Sequence, residues 1–100
     1  MPSLRPIRAN EELSAYIRSL HPALKKRIHN ALDLLRSRPE EGKPLQRELK
    51  GYQSLRIGKF RIIYRVTTKE IELVAIGPRH TIYEETVRMK EKQAADYKGQ

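Results

Sequence analysis

Apolar residues recur along this chain with two different periods, and the change of period divides it. Leu13, Tyr16, Ile17 and Leu20 follow at i, i+3, i+4 and i+7, which predicts an amphipathic helix. Asn10 is placed to cap it, and Glu11 and Glu12 suit the positive end of the helix dipole. His21-Pro22 interrupts the pattern, and Pro22 fits the first position of a new helix. Leu24, Ile28, Ala31, Leu32 and Leu35 mark one face of that second helix, of about four turns. Its other face carries Lys25, Lys26, Arg27, Asn30 and Asp33 and reads as solvated, and Pro39 stops it beyond Arg36 and Arg38. With almost no loop between them, the two helices predict an antiparallel helical hairpin.

From residue 54 onward the period becomes two. Leu55, Ile57, Phe60, Ile62, Tyr64 and Val66 alternate onto one face, with a tight turn at Gly58-Lys59. A two-residue loop there pairs Ile57 with Phe60 and sets Arg56 opposite Arg61 on the non-core face. Like charges directly opposite are destabilising, so the pair either splays into water or holds an anion. A second turn at Thr68-Lys69 pairs Arg65 with Glu72, Tyr64 with Leu73 and Ile62 with Ala75. That strand ends at Gly77-Pro78, and Arg79 emerges at the Arg61 end of the sheet. Leu4 to Arg8 predicts a short edge strand, Pro39 to Pro44 a loop, and Gln46 to Lys50 a helical turn before Gly51. Tyr16 and Tyr64 are expected in the core. Residues 84–92 can form a short C-terminal helix, and 89–100 read as a loosely held tail. The expected fold is one α+β domain over residues 1–100, with its core at about 4–88: a helical hairpin packed on one face of a small, mainly antiparallel sheet. The opposite face is expected to be open and basic.

Charge sharpens this picture. Lys and Arg number 21 against 12 Asp and Glu, a net charge of +9. On so small a body that surplus attracts polyanions: nucleic acid, an acidic protein or an anionic surface. No apolar run approaches the ~18 residues of a membrane span. The segment Met1-Pro2-Ser3-Leu4-Arg5-Pro6 lacks the apolar stretch of a secretory signal. With no cysteine there is neither a disulfide framework nor thiolate chemistry. His21, His29 and His80 are scattered and lack the partners of a metal site. The expectation is a cytoplasmic protein without metal or cofactor.

Leu49-Lys50-Gly51, the run from Leu55 to Tyr64, Ile76-Gly77-Pro78-Arg79 and Ile82-Tyr83 stand in an order and spacing that resemble the RelE/ParE superfamily of toxin–antitoxin toxins, over roughly residues 10 to 85. Within that superfamily the RelE branch consists of ribosome-dependent messenger-RNA endoribonucleases, and the ParE branch poisons DNA gyrase. The resemblance implies a RelE-type site in which Arg56, Arg61, Arg79 and Tyr83 stand at the family's positions. His80 is near enough to Tyr83 to be considered for proton transfer. Ser54 stands where the family carries a basic residue; it is expected to bind RNA together with Lys50 and Lys59, nearby cations that could supply the charge it lacks. The resemblance also implies a partner antitoxin, which the charge of this chain expects to be acidic, and the ribosome with its messenger RNA as target.

Metal-free RNA cleavage uses the ribose 2′-OH as nucleophile on the adjacent phosphate. It needs a base, charge stabilisation on the phosphorane and a proton for the 5′-oxygen. Arginine suits the second task, since its paired donors match phosphate oxygens. Tyr83 is the candidate base, its phenol favoured as phenolate by neighbouring cations. The leading expectation is therefore an endoribonuclease toxin. A non-nuclease gyrase inhibitor is the alternative, and a degenerate toxin retaining only antitoxin or RNA binding a third.

Overall fold

The computed structural model describes residues 4–78, 82 and 86–88. Strand β1 (Ile7–Arg8) leads into α1 (Glu11–Ser19) and α2 (Pro22–Ser37). Short 3-10 turns at Pro39–Glu41 and Arg47–Leu49 flank β2 (Lys43–Pro44), and β3 (Gln53–Ile57), β4 (Phe60–Val66) and β5 (Ile71–Pro78) complete the sheet. The order is β1-β5-β4-β3-β2, with β1 parallel to β5 and every other pair antiparallel.

The helices start where their capping residues stand. Asn10 Oδ1 accepts a hydrogen bond from the Leu13 amide at 2.7 Å. At the α1–α2 junction His21 Nδ1 accepts from the Ala23 amide at 3.2 Å, with Pro22 behind it. Leu13 and Ile17 of α1 and Ile28, Leu32 and Leu35 of α2 pack with Ile57, Ile62, Tyr64, Ile71, Leu73 and Ile76 of the sheet. Tyr16 differs from expectation: it is 37% exposed, because α1 is only nine residues long and buries just Leu13 and Ile17.

Tyr64 is fully buried, and its hydroxyl joins the sheet to the loop beyond α2. It accepts from the Gly42 amide at 2.9 Å and donates to the Pro39 carbonyl at 2.8 Å. A side chain on Gly42 would collide with that hydroxyl. Burial pushes the phenol above its usual 10.0, reinforced by Glu40 and Glu41 and opposed by the Gly42 amide.

The hairpin register is as the alternation predicts: Ile57 faces Phe60, and Arg56 faces Arg61. Gly58 turns with φ at +59°, the conformation a II′ turn requires of its first central residue. Tyr64 faces Leu73 and Arg65 faces Glu72, also as predicted, and the Thr67 amide donates to the Glu70 carbonyl across the loop. Past that point the pairing shifts. Ile62 faces Ile76, not Ala75, and Ile63 faces Ala75. A β-bulge leaves Val74 as the extra residue of β5, so Val74 and Ala75 both pack on the face away from the helices.

That second face is not simply open. Ile63, Ala75 and Ile82 form a small second core there, with Leu45, Tyr52 and Val74 against it. Residues 82 and 86–88 are helical, and the buried Thr86 hydroxyl donates to the Ile82 carbonyl at 2.7 Å. Charged residues flank this cover, Arg56 and Arg61 on one side and Arg8, Arg65, Glu70 and Glu72 on the other. Strand β2, within the segment expected to be a loop, forms the outer edge beyond β3. The expected tail at 89–100 lies outside the described residues. Among the described residues no helix is long and apolar enough to cross a membrane.

Candidate nucleic-acid interface

The arginine pair is imposed by the core beneath it. Leu55, Ile57, Phe60 and Ile62 can be buried only in one register, since a one-residue slip turns them all outward. Burying such a side chain is worth about 1.5–3 kcal/mol. Opposed like charges cost less, ~1 kcal/mol at most. The apolar face therefore wins, and Arg56 and Arg61 stay directly opposite one another on the far face.

Each guanidinium is positioned. Arg56 is exposed, and its Nε donates to the Gly58 carbonyl at 3.3 Å, which holds the side chain beside the turn. Arg61 is half-buried, and its Nη1 donates to Ser54 Oγ at 3.1 Å. Ser54 is only 2% exposed. It thus supplies a neutral hydroxyl that orients Arg61. Gly77 of β5 continues the row beyond Arg61. A Cβ on Gly77 would stand 3.0 Å from Ile82 Cδ1, so Ile82 packs closely over this end of the sheet.

Lys59 is exposed in the turn itself. Arg27, read from sequence as part of a solvated helix face, lies against the same turn: its Nη1 and Nη2 sit 3.3 Å from where a Cβ on Gly58 would be. No sequence signal joins positions 27 and 58; only the packing of α2 on the hairpin does. Lys50 is exposed, follows the Arg47–Leu49 turn and takes no part in the strand pairing. Lys43, which sequence reasoning passed over, pairs with Ser54 from β2. The signal for it was weak, a Lys-Pro dipeptide of the kind found on sheet edges. Pro78 pairs with Phe60, so β5 ends beside the arginine row. Arg79, His80 and Tyr83 lie outside the described residues. Among the described residues no cluster of His, Asp or Glu could hold a metal ion.

The two arginines are opposed at the backbone, Arg56 leaning toward the turn, where Lys59 and Arg27 stand, and Arg61 leaning back toward Ser54. Guanidinium groups suit phosphate, whose oxygens accept paired N–H donors. The rest of the molecule offers a groove of another character. A cavity of about 560 Å³ opens between α1 and β5, with Leu13, Ala15, Tyr16, Val74, Ile76 and Ile82 among its walls.

Known structures share this architecture. The toxin–antitoxin complex RelBE2 of Mycobacterium tuberculosis contains a chain that matches with a TM-score of 0.67 and 25% identity, over 76% of this chain and 99% of that one. A mutant E. coli toxin RelE in the free state matches with a TM-score of 0.70 and 14% identity, over 86% and 97%. The archaeal RelE–RelB complex of Pyrococcus horikoshii matches with a TM-score of 0.62 and 21% identity, over 76% and 96%. No curated protein sequence matches the chain. The family model for the ParE toxin of type II toxin–antitoxin systems, parDE, matches residues 8–83. Fold and this match over most of the chain agree: the protein belongs to the ParE toxin family, within the RelE/ParE superfamily, and is a toxin of a type II toxin–antitoxin system.

Proposed function

We propose that this toxin arrests translation as a ribosome-dependent endoribonuclease that cleaves messenger RNA. The observation that carries the reading is the in-register opposition of Arg56 and Arg61 on the sheet face away from the helices. Tyr83 takes the proton of a ribose 2′-OH, and the 2′-oxygen attacks the adjacent phosphorus. The bond to the 5′-oxygen breaks, leaving a 2′,3′-cyclic phosphate on one fragment. The departing 5′-oxygen takes a proton, for which His80 is the nearest candidate in sequence. Arg61 and Arg79 stabilise the phosphorane, and Arg56 sits by the leaving oxygen. These residues alone make a modest catalyst, and alignment of the strand by the ribosome supplies the remaining positioning. The cognate antitoxin is acidic and neutralises the basic face, with a segment docked in the apolar groove beside α1.

A second reading has its own support. The matching family model is that of the ParE toxin, and Ser54 contributes no cation. A DNA gyrase inhibitor of that kind needs no general base. Primer extension on translating ribosomes with added protein separates the two. On the nuclease reading, new messenger-RNA ends appear with the wild-type chain. Tyr83→Phe then lowers their rate by about two to four orders of magnitude, the scale of acid–base catalysis. Intact messenger RNA, together with collapse of plasmid supercoiling and full toxicity of Tyr83→Phe, would assign the gyrase reading instead.

A further inference from the structure

Strand β2 places a lysine where the anion site has an open flank. Lys43 is the register partner of Ser54, and directly opposed residues of an antiparallel pair project from the same face. Two further observations fix that face. A Cβ on the preceding Gly42 would point at the Tyr64 hydroxyl, into the helix-side core, so Lys43 points the other way. Leu45, two residues on, packs with Ile63, Ala75 and Ile82, on the face that also carries Ser54, Arg56 and Arg61.

The distances suit convergence. Strands lie about 4.8 Å apart and rise about 3.4 Å per residue, which puts the Lys43 backbone roughly 8 Å from that of Arg56 and roughly 12 Å from that of Arg61. Arg61 already leans toward Ser54, on the Lys43 side, and side chains of this length reach ~6 Å, enough for Lys43 and Arg61 to meet one phosphate group, which Arg56 joins by leaving the Gly58 carbonyl. Lys43 is exposed on the outermost strand, and none of the described ion pairs involves it. Ser54 lies between Lys43 and the arginines. It is too short to fill that space and already bonds to Arg61.

We propose that Lys43 is the third cation of the site, binding the nucleic-acid phosphate held by Arg56 and Arg61 from the β2 side. The site then spans β2, β3 and β4, and Ser54 forms its floor. Its consequence for cleavage rests on the endoribonuclease reading, whereas its consequence for phosphate binding does not.

The test titrates the wild-type chain with a single-stranded RNA oligomer carrying 2′-O-methyl groups, which cannot be cleaved, between 50 and 200 mM salt (about the range over which counterion release is readily measured). Lys43→Gln is compared with Lys43→Arg and with Lys69→Gln, an equal loss of charge at the β4–β5 turn. Lys43→Gln is expected to weaken binding several-fold and to reduce the slope of log K against log salt by about 0.7, the value for one phosphate contact on a single strand. Lys43→Arg is expected to restore both, and Lys69→Gln to change neither. Equal effects of Lys43→Gln and Lys69→Gln would overturn the assignment, as would an absence of wild-type binding at the lowest salt. Primer extension on ribosomes separates the two claims. A Lys43-specific loss of affinity without any wild-type cleavage keeps this site and removes the nuclease. Wild-type cleavage unaffected by Lys43→Gln, with unaltered affinity, does the reverse.

Discussion

Arg61 and Arg65 stand on the same strand and the same face, four residues apart, in opposite surroundings. Arg65 Nη2 meets Glu72 Oε1 at 2.7 Å, and its guanidinium lies 5.7 Å from the centre of the Tyr52 ring. Arg8 joins the same group, 2.9 Å from Glu72 Oε2 and 3.1 Å from Glu70 Oε2. Two cations and two carboxylates thus form one group, of which Arg8, Arg65 and Glu72 border a polar cleft of about 610 Å³ together with Tyr52. At the other end Arg61 faces Arg56, bonds to the Ser54 hydroxyl and has Lys43 beyond it. Ile63 and its cover of Leu45, Tyr52, Val74 and Ile82 separate the two ends. Net charge alone does not explain the difference. Glu70 and Glu72 stand at one end beside Arg8 and Arg65, whereas Lys43, Arg56 and Arg61 come together at the other, and it is on this contrast that the proposed anion site rests.

The strongest way to break this comparison is to remove one arginine at each end. Arg61→Ala is expected to lower ribosome-dependent messenger-RNA cleavage by about 10²–10³-fold, the usual cost of losing one donor to a developing negative charge. Because Arg61 is not part of the core, its unfolding curve should stay close to wild type. Arg65→Ala is expected to keep cleavage within a few-fold. Comparable losses from the two variants would mean that the ends do not differ in function.

The fold beneath the arginines gives the next effect. Tyr64→Phe strands the Gly42 amide and the Pro39 carbonyl, and should cost about 1–3 kcal/mol in denaturant unfolding. Its pH dependence has a definite sign. The folded-state phenol is raised above 10.0, so its contribution is fully present below about pH 10 and is lost as pH rises further. Wild-type stability should therefore fall more steeply above pH 10 than that of Tyr64→Phe. Parallel alkaline profiles would refute the buried phenol as the cause.

The smallest effect sharpens the neutral end. Glu72→Gln releases Arg8 and Arg65 from their shared carboxylate, and all three side chains are partly exposed. Such pairs contribute less than ~1 kcal/mol, so stability should barely move. Affinity for RNA at low salt should rise modestly, with the gain disappearing as salt screens the freed charges. A large loss of stability would show that the Arg8–Glu72–Arg65 group is structural instead.

Legibility in the sequence followed periodicity. Both helices, the β3–β4 hairpin and the Arg56–Arg61 opposition could be read because alternation and a glycine turn determine register locally. The bulge could not, since Leu73-Val74-Ala75-Ile76 is continuously apolar and carries no information about which face each residue takes. Strand β2 was missed because two residues show no period and its pairing with β3 is by backbone. Arg27 was missed because its approach to Gly58 exists only once α2 has packed. Ser54 was read as an RNA contact lacking the family's charge; its burial and its bond to Arg61 are legible only in the fold. The roles of Arg79, His80 and Tyr83 rest on the family resemblance.

The central claim, an anion site confined to one end of the sheet face, is tested most directly by amide chemical-shift mapping of the wild-type chain with the uncleavable 2′-O-methyl RNA oligomer. Shifts are expected to cluster at Lys43, Ser54, Arg56, Lys59 and Arg61 and to saturate together, with Arg8, Arg65 and Glu72 little affected. Shifts centred on Arg8 and Arg65, or spread evenly over both ends, would contradict that claim.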